Sequence, residues 1–220
     1  MESFKQEILK LQFTHNLTLH YLSTDGYIGG QIARNGCYEP FEMDLLLSLL
    51  NEGDIAVDIG ANIGVYTLKM AQRVGAMGKV YAFEPEPTNF KLLMKNVKEN
   101  NLTNVICSNL ALSNKATLTS LFISEENFGD HQLYQGDTQR KCVSVMTNTL
   151  DTLLREIYKE KGIIKVIKTD TQGFEPFVID GAKQTIQEHH PAIFLEYWPK
   201  GFKNAGADHD TMIDFLVNVY

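Results

Sequence analysis

A strand, a glycine-containing loop and a helix follow one another near residue 60, and this succession constrains the fold of the chain most. Ile55–Ile59 is a short apolar run, typical of a buried strand, and Val65–Val74 has the apolar spacing of a helix. Gly60 and Gly64 stand in the loop between them. Glycine lets the backbone approach a ligand closely, and the free N–H groups at a helix start can bind a negatively charged group. The segment therefore predicts an α/β fold with a ligand site at the carboxyl end of this strand.

The alternation of strand and helix continues along the chain. Further strands are predicted at residues 18–22, 79–83, 105–110, 116–124, 141–147, 163–168 and 192–197, and helices at 41–50, 87–99, 150–159, 174–188 and from 211 onwards. Alternating strands and helices give a mostly parallel sheet with helices on both faces. The two strands that flank the polar loop at residues 125–140 predict a β-hairpin or a β insertion instead. We expect residues 1–40 to form an N-terminal cap and residues 41–220 to form a single domain.

Charge and cysteine content exclude several classes of protein. The 220 residues include 20 Lys and Arg against 27 Asp and Glu, a net charge of −7, so no nucleic-acid partner is expected. The longest apolar runs, such as residues 45–50, are too short to cross a bilayer, so no membrane span is expected. Cys37, Cys107 and Cys142 have neither the spacing of a disulfide framework nor that of zinc ligands. These observations fit a protein of the reducing cytoplasm.

The spacing of residues around the loop distinguishes between nucleotide cofactors. A dinucleotide site requires G-x-G-x-x-G and a phosphate-binding loop requires G-x-x-x-x-G-K-[ST], and neither motif is present here. Asp58 stands two residues before Gly60, where a carboxylate would repel a pyrophosphate but suit a cationic or amine-bearing ligand. Glu84 follows the next strand, where an acidic residue typically receives two ribose hydroxyls. This pattern predicts an adenosine-like ligand without a pyrophosphate, and S-adenosylmethionine fits because it has a ribose, an amino acid part and a sulfonium cation.

Three segments of the chain resemble the signatures of FkbM-type methyltransferases. They are residues 57–67 (VDIGANIGVYT), 82–85 (AFEP) and 167–175 (IKTDTQGFE), and the resemblance extends over about residues 38–198. It implies a class I methyltransferase fold with a Rossmann-like sheet, S-adenosylmethionine as methyl donor, and usually O-methylation of a hydroxyl on a sugar or secondary metabolite. The expected acceptor is therefore a small molecule or a glycan, and the oligomeric state stays open. Only residues 216–220 remain for the antiparallel hairpin that usually ends this fold, so we expect that hairpin to be incomplete.

The resemblance also implies which residues hold the donor. They are Glu39, Asp58, Gly60, Ala61, Asn62, Gly64, Tyr66, Thr67, Glu84, Pro85, Asn109, Leu110, Ala111 and Asp170. In this assignment residues 58–64 would surround the methionine part, Glu84 would take the ribose hydroxyls, and residues 109–111 would flank the adenine. Asp170 would lie close to the methyl group. Thr171 departs from the family, which often has Val there.

A hydroxyl acceptor needs a base, because an alkoxide is scarce at neutral pH. Three groups could serve: Asp170 after the fourth core strand, Glu196 after the fifth, and His131 in the polar loop. We favour His131, because the adjacent Asp130 could orient the imidazole or raise its basicity, with Asp170 positioning donor or acceptor. No carboxylate spacing demands a metal ion. An N-methyltransferase and a catalytically silent donor-binding protein stay open as alternatives.

Overall fold

A computed structural model describes residues 7–136 and 139–220 of the chain. The strands are β1 (Ile8–Thr14), β2 (Leu17–Leu22), β3 (Ile55–Ile59), β4 (Lys79–Phe83), β5 (Val105–Ser108), β6 (Ala111–Leu112), β7 (Thr117–Phe122), β8 (Cys142–Asn148), β9 (Ile164–Thr169) and β10 (Ala192–Leu195). The helices are α1 (Gly29–Asn35), α2 (Pro40–Ser48), α3 (Val65–Val74), α4 (Pro87–Glu99), α5 (Leu150–Thr152), α6 (Glu175–Asp180), α7 (Lys183–His189), α8 (Pro199–Asn204) and α9 (His209–Val219). A π-helical turn, Leu153–Ile157, continues α5.

The centre of the molecule is a parallel sheet of five strands in the order β10-β9-β3-β4-β5. The chain runs outwards from β3 through β4 to β5, and then returns to the other side of β3 as β9 and β10. The order therefore reverses between β3 and β9. In such sheets ligands bind outside the carboxyl ends of the strands at this reversal. The predicted α/β fold with a mostly parallel sheet is confirmed.

Helices cover both faces of this sheet and bury two apolar clusters. On one face, Leu46 of α2, Leu68 of α3 and Leu93 of α4 are fully buried. On the other face, Ile186 of α7 and Phe202 of α8 are fully buried. Each such side chain contributes about 1.5–3 kcal/mol through the removal of its apolar surface from water. The two clusters hold β3 and β9 rigidly, and so fix the edge of the sheet where the site lies.

An N-terminal hairpin of β1 and β2 packs on α4 through two asparagines. The Asn96 amide accepts from the His20 N–H at 2.7 Å and donates to the His20 carbonyl at 3.0 Å. Asn100 makes the same pair of bonds, both 2.8 Å, with the backbone of Thr18. These side chains satisfy backbone groups of β2 that have no strand partner there. The hairpin and α1 lie within the predicted N-terminal cap, of which residues 1–6 lie outside the described part.

A separate three-stranded sheet has the order β6-β8-β7. Its strands β7 and β8 pair antiparallel, as the flanking strands of the polar loop predicted, and β6 runs parallel to β8. Residues 137 and 138 of that polar loop lie outside the described residues. Among the residues that the structure describes, no strand follows β10, and the chain continues through α8 and α9. No helix in those same residues is long and apolar enough to cross a membrane.

Candidate active site

A cleft opens at the carboxyl ends of β3, β4 and β9, at the reversal of strand order. It holds about 1160 Å³ of space, the open mouth included. Of the residues predicted for the site, ten line this cleft: Gly60, Ala61, Asn62, Tyr66, Glu84, Pro85, Leu110, Ala111, His131 and Asp170. The predicted residues Glu39, Asp58, Gly64, Thr67, Asn109 and Asp130 do not line it. A concave site of this size with a few convergent polar groups suits a nucleoside-sized ligand.

The loop after β3 is held against the ends of the neighbouring strands. Gly60 has a φ of +74°, and a Cβ on it would stand 2.0 Å from the Asp170 carbonyl oxygen. Only glycine fits there, because the left-handed conformation and the close backbone both exclude a side chain. The N–H groups of Gly60 and Ala61 both donate to the Phe83 carbonyl at 3.0 Å. The loop therefore presents a fixed backbone surface to the cleft.

Glu84 stands at the end of β4 with both carboxylate oxygens held by the backbone. Oε2 accepts from the Asn62 N–H at 2.7 Å, and Oε1 accepts from the Glu86 N–H at 2.8 Å. Burial raises the pKa of Glu84 to about 8, although these two N–H groups lower it. Each oxygen keeps a further lone pair for a ligand hydroxyl. The two oxygens can therefore accept two hydroxyl groups of a ligand.

Asp58 and Thr67, predicted as donor contacts, lie beneath the cleft and are fully buried. Asp58 Oδ2 accepts from the Thr67 hydroxyl at 2.5 Å, and Asp58 Oδ1 has no hydrogen-bond partner. The bond ties the start of α3 to β3. Asp58 therefore acts on the site from below, through the charge that it places there.

Two other predicted contacts support the cleft from outside it. The Asn109 amide donates to the carbonyls of Glu84 and Pro85, at 2.8 and 3.0 Å, and so joins the ends of β4 and β5. Glu39 has a φ of 42°, unusual for a residue with a side chain, and accepts from the Tyr66 hydroxyl at 2.8 Å. Both residues position groups that line the cleft.

Lys168 lines the cleft, and the sequence reasoning missed it. It pairs in register with Asp58 on β3 and is only 8% exposed. Its Nζ lies 3.3 Å from the Gly60 carbonyl oxygen, 3.6 Å from Asp58 Oδ1 and 3.7 Å from Asp170 Oδ2. Burial lowers the pKa of Lys168, but nearby carboxylates, Asp58 first, raise it above its ordinary value, so the ammonium stays charged. The signal available in the sequence was its place two residues before Asp170, on the same face of the strand.

His131 reaches the cleft as a neutral ring. Its Nδ1 accepts from the Ser124 N–H at 3.1 Å, so the ring proton is on Nε2, and Nε2 is buried without a hydrogen-bond partner. Burial lowers the pKa of His131 to about 4, against the opposing effect of Asp130. Neither nitrogen then has a free lone pair. The geometry favours His131 as a hydrogen-bond donor and departs from the general-base role expected from the sequence.

Asp130 does not orient that imidazole. Its Oδ2 pairs with the Arg140 guanidinium at 2.6 Å, and its Oδ1 accepts from the Gln132 amide at 2.7 Å. The carboxylate thus joins two parts of the polar loop. The expectation failed because Arg140, ten residues away, takes the carboxylate that adjacency assigned to His131.

The polar loop crosses the cleft and is fastened at one carbonyl group. The carbonyl oxygen of Phe128 accepts from the Asn62 amide at 2.8 Å and from the Asn89 amide at 3.0 Å. One of these amides belongs to the loop after β3, and the other to the first turn of α4. Phe128 and its neighbours therefore form a wall of the cleft that is attached to the same elements as the floor.

Three carboxylates meet beside the cleft, after β9 and β10. Oxygens of Asp170, Glu175 and Glu196 all lie within 4.8 Å of one another. Glu175 is buried and accepts from the N–H groups of Thr171 and Gly173, at 2.6 and 3.0 Å. Glu196 is an exposed residue, yet partial desolvation of its carboxylate, and then the charges of Asp170 and Glu175, raise its pKa to about 7. Glu196 therefore keeps a proton near neutral pH more readily than a free glutamate side chain does.

Comparison with known proteins finds a matching family model and similar proteins. A family model described as the methyltransferase FkbM domain matches residues 58–219. Methyltransferase sdnD of Sordaria araneosa is 26% identical over 209 residues, which cover 80% of this chain and 76% of that protein. Methyltransferase 1 of Beauveria bassiana (strain ARSEF 2860) is 25% identical over 174 residues, with 70% and 66% of the two chains covered.

A solved structure shares the fold. The FkbM methyltransferase from Methylobacillus flagellatus KT is 15% identical and has a TM-score of 0.54, over 78% of this chain and 39% of that chain. The family resemblance predicted from three motifs is confirmed, because the family match covers most of the chain. The chain belongs to the FkbM methyltransferase family, and it is a methyltransferase whose cofactor is S-adenosylmethionine.

Proposed function

We propose that this methyltransferase acts on a hydroxyl group of a small-molecule or glycan acceptor, with the donor held in the cleft between β3, β4 and β9. The donor supplies, when bound, a methyl group on a sulfonium, which is a good leaving group. The protein must then align the acceptor and take its proton.

The residues of the cleft fit the donor. Glu84 offers two oriented carboxylate oxygens for the ribose hydroxyls. Pro85, Leu110 and Ala111 give apolar walls next to it for the adenine ring. The loop that begins at Gly60 offers a backbone surface, with no Cβ in the way, to the methionine part. The sulfonium would enter a cleft whose walls include carboxylates, so its positive charge is accommodated.

The observation that favours a hydroxyl acceptor is the carboxylate pair of Asp170 and Glu196. Asp170 lines the cleft, and its oxygens lie within 4.8 Å of those of Glu196, whose pKa is raised to about 7. A base near neutral pKa is what the removal of a hydroxyl proton requires. Asp170 is placed to receive the proton of the acceptor hydroxyl, with the Glu196 carboxylate beside it. A neutral amine acceptor would need such a base much less.

Uncharged hydrogen-bonding groups line the same cleft as Asp170. His131 presents its Nε2–H, and Gln31 and Tyr38 line the same cleft. Burial, with Glu39 and Asp170 nearby, raises the pKa of Tyr38, so its hydroxyl stays protonated. Groups of this kind bind neutral hydroxylated molecules without a charge preference. They support an acceptor such as a sugar or a hydroxylated metabolite.

The test uses S-adenosylmethionine with a ¹³C-labelled methyl group and paired acceptors. Sugars, polyols, hydroxy acids and phenols are each offered beside the counterpart in which an amino group replaces the hydroxyl. We expect label on oxygen in at least one hydroxylated compound, shown by the ¹³C shift of an O-methyl group. Label on nitrogen only would favour the N-methyltransferase alternative. If the protein bound the donor but transferred no labelled methyl group to any compound in an extract of small molecules, the catalytically silent alternative would be favoured.

We further propose that the enzyme works in a reducing compartment such as the cytoplasm. Cys37 and Cys142 are exposed free thiols, and Cys107 is free and partly buried. Exposed free thiols persist where glutathione and thioredoxin keep them reduced.

A further inference from the structure

Lys168 is the buried charge of this cleft to which the proposed function gives no role. It stands next to the carboxyl end of β9, the neighbour of the central strand β3, and its side chain lines the cleft beside Gly60. The Tyr66 ring lies beneath the ammonium, with Nζ 5.1 Å from the ring centroid. Asp58 and Asp170 flank it. The ammonium is therefore placed where the methionine part of the donor would lie.

The hydrogen bonds of this ammonium are incomplete. An ammonium has three N–H donors, and within residues 7–136 and 139–220 the one hydrogen bond that Lys168 makes is a long one, 3.3 Å, to the Gly60 carbonyl. The carboxylate oxygens of Asp58 and Asp170, at 3.6 and 3.7 Å, lie outside hydrogen-bond distance. A buried ammonium whose ion pairs are this long keeps part of its desolvation cost. A ligand oxygen in the cleft would remove that cost.

We propose that Lys168 binds the α-carboxylate of the methionine part of the donor, an inference that rests on the proposed function. The sulfonium and the α-ammonium of the donor are cations, so Lys168 repels them. The ribose hydroxyls have Glu84, at the end of β4, as their proposed partner. The α-carboxylate is the one anionic group of this ligand, and two N–H groups of Lys168 are left to receive it. Asp58, fixed by Thr67, keeps the ammonium charged and in place.

The test measures affinity by titration calorimetry for two ligands that differ in one group. One is S-adenosylhomocysteine, and the other is its decarboxylated analogue, in which a hydrogen replaces the α-carboxylate. In Lys168→Met, we expect affinity for S-adenosylhomocysteine to fall about tenfold or more, and affinity for the analogue to change by less than about twofold. Lys165→Met, an exposed lysine on the same strand, is the matched control and should change neither.

Equal losses for both ligands in Lys168→Met, or no loss for either, would overturn the assignment. The wild-type protein gives a second test that needs no variant: it should bind the analogue about tenfold or more weakly than S-adenosylhomocysteine. Equal wild-type affinities would overturn the inference even if Lys168→Met failed to fold. A wild-type protein that binds neither ligand would refute the proposed function itself, and the inference with it.

Discussion

Glu84 combines a fixed position with an unusual protonation state. It is 4% exposed, and both oxygens accept backbone N–H groups. Burial raises the pKa of Glu84 from 4.5 to about 8. Between these two pH values the folded protein therefore keeps a proton on this carboxyl group that the unfolded chain has released. A ribose with two hydroxyl donors would favour the ionised form. Donor binding and deprotonation of Glu84 are therefore coupled.

A pH dependence of stability follows for Glu84. The pKa is raised on folding, so its favourable contribution is fully present below about pH 4.5 and is lost as pH rises through about 8. Relative to Glu84→Gln, the wild type should lose on the order of 5 kcal/mol of unfolding free energy across that window. Urea denaturation of both proteins at several pH values measures this. If the unfolding free energies of the two proteins changed with pH in the same way, the pKa of Glu84 would not be raised.

His131 should stay neutral well below neutral pH. Its Nδ1 accepts a backbone N–H, and burial lowers its pKa to about 4. We expect the ¹⁵N shifts of the ring to show a proton on Nε2 alone from pH 7 down to about pH 5. His131→Gln identifies the signal. A ring that takes a second proton near pH 6.5, or one protonated on Nδ1, would restore the general-base role.

Glu196 should control the fall in the reaction rate at acid pH. The carboxylate pair accepts a proton when Glu196, whose pKa is raised to about 7, is ionised. Glu196→Gln should lower the rate of methyl transfer about a hundredfold and remove the fall in rate below pH 7, with affinity for S-adenosylhomocysteine unchanged. Asp214→Asn, an exposed change on α9, is the control. A Glu196→Gln enzyme with the wild-type pH profile would exclude the pair as the base.

At the scale of elements, the loop after β3 is the join between the two halves of the sheet. Gly60 touches the backbone that follows β9, and its N–H bonds to the end of β4. Gly64, with a φ of 97°, starts α3 against Leu93 of α4, which a Cβ would approach to 2.8 Å. A change in this loop should therefore disturb three elements together.

Gly60→Ala and Gly36→Ala form a matched pair, because both glycines have a φ of +74°. A Cβ at Gly36 meets nothing within 4 Å, whereas one at Gly60 stands 2.0 Å from the Asp170 carbonyl oxygen. Gly36→Ala should cost about 1–2 kcal/mol of unfolding free energy, for the left-handed backbone alone, and Gly60→Ala about 3 kcal/mol or more. Equal losses of unfolding free energy in the two variants, measured by urea denaturation, would show that the backbone after β9 moves away from a Cβ at position 60.

Elements with local signals at both ends were predictable from the sequence. The bounds predicted for Val65–Val74, Lys79–Phe83 and Pro87–Glu99 agree with the structure, because glycine, proline and apolar period mark them. The helix predicted over residues 150–159 begins correctly but turns into a π-helical turn. β1 was missed, because it depends on antiparallel pairing with β2. α1 was missed, because it begins with Gly29 and Gly30, which indicate a turn.

The residues of the site also divide into those that could be predicted from the sequence and those that could not. Gly60 and Glu84 could be found, because each follows a strand and has a recognisable local task. The sequence predicted that Asp58 contacts the donor. In the structure, the register of β9 against β3 places Lys168 beside Asp58, and the Asp58 carboxylate lies beneath the cleft. The role of His131 depends on the N–H of Ser124, a tertiary hydrogen bond that no residue pattern reveals.

On the scale of the whole molecule, a rigid sheet carries the binding groups and separate segments close over them. The two apolar clusters fix β3, β4 and β9, whereas the N-terminal cap and the polar loop add Tyr38 and His131 to the cleft. The net charge of −7 favours a cationic cofactor and opposes phosphate backbones. Acceptor choice should therefore change with the closing segments, without loss of donor binding.

Ligand binding should stabilise the entire fold, because the cleft joins all its parts. At a concentration about 100 times its dissociation constant, S-adenosylhomocysteine should raise the unfolding free energy by about 2.7 kcal/mol. NAD at the same concentration should have no effect, since the loop lacks a dinucleotide motif. Thermal denaturation with each ligand measures both. Stabilisation by NAD alone would contradict the assignment of the cofactor.

The most direct test of the account is the affinity of S-adenosylhomocysteine for the wild type and for Glu84→Ala, by titration calorimetry. The cleft between β3, β4 and β9 predicts one site per chain, with an affinity at least about tenfold weaker in the folded variant, because two ribose hydroxyls lose their acceptor. Equal affinities, or no binding by the folded wild type, would contradict the claim that this cleft holds the methyl donor.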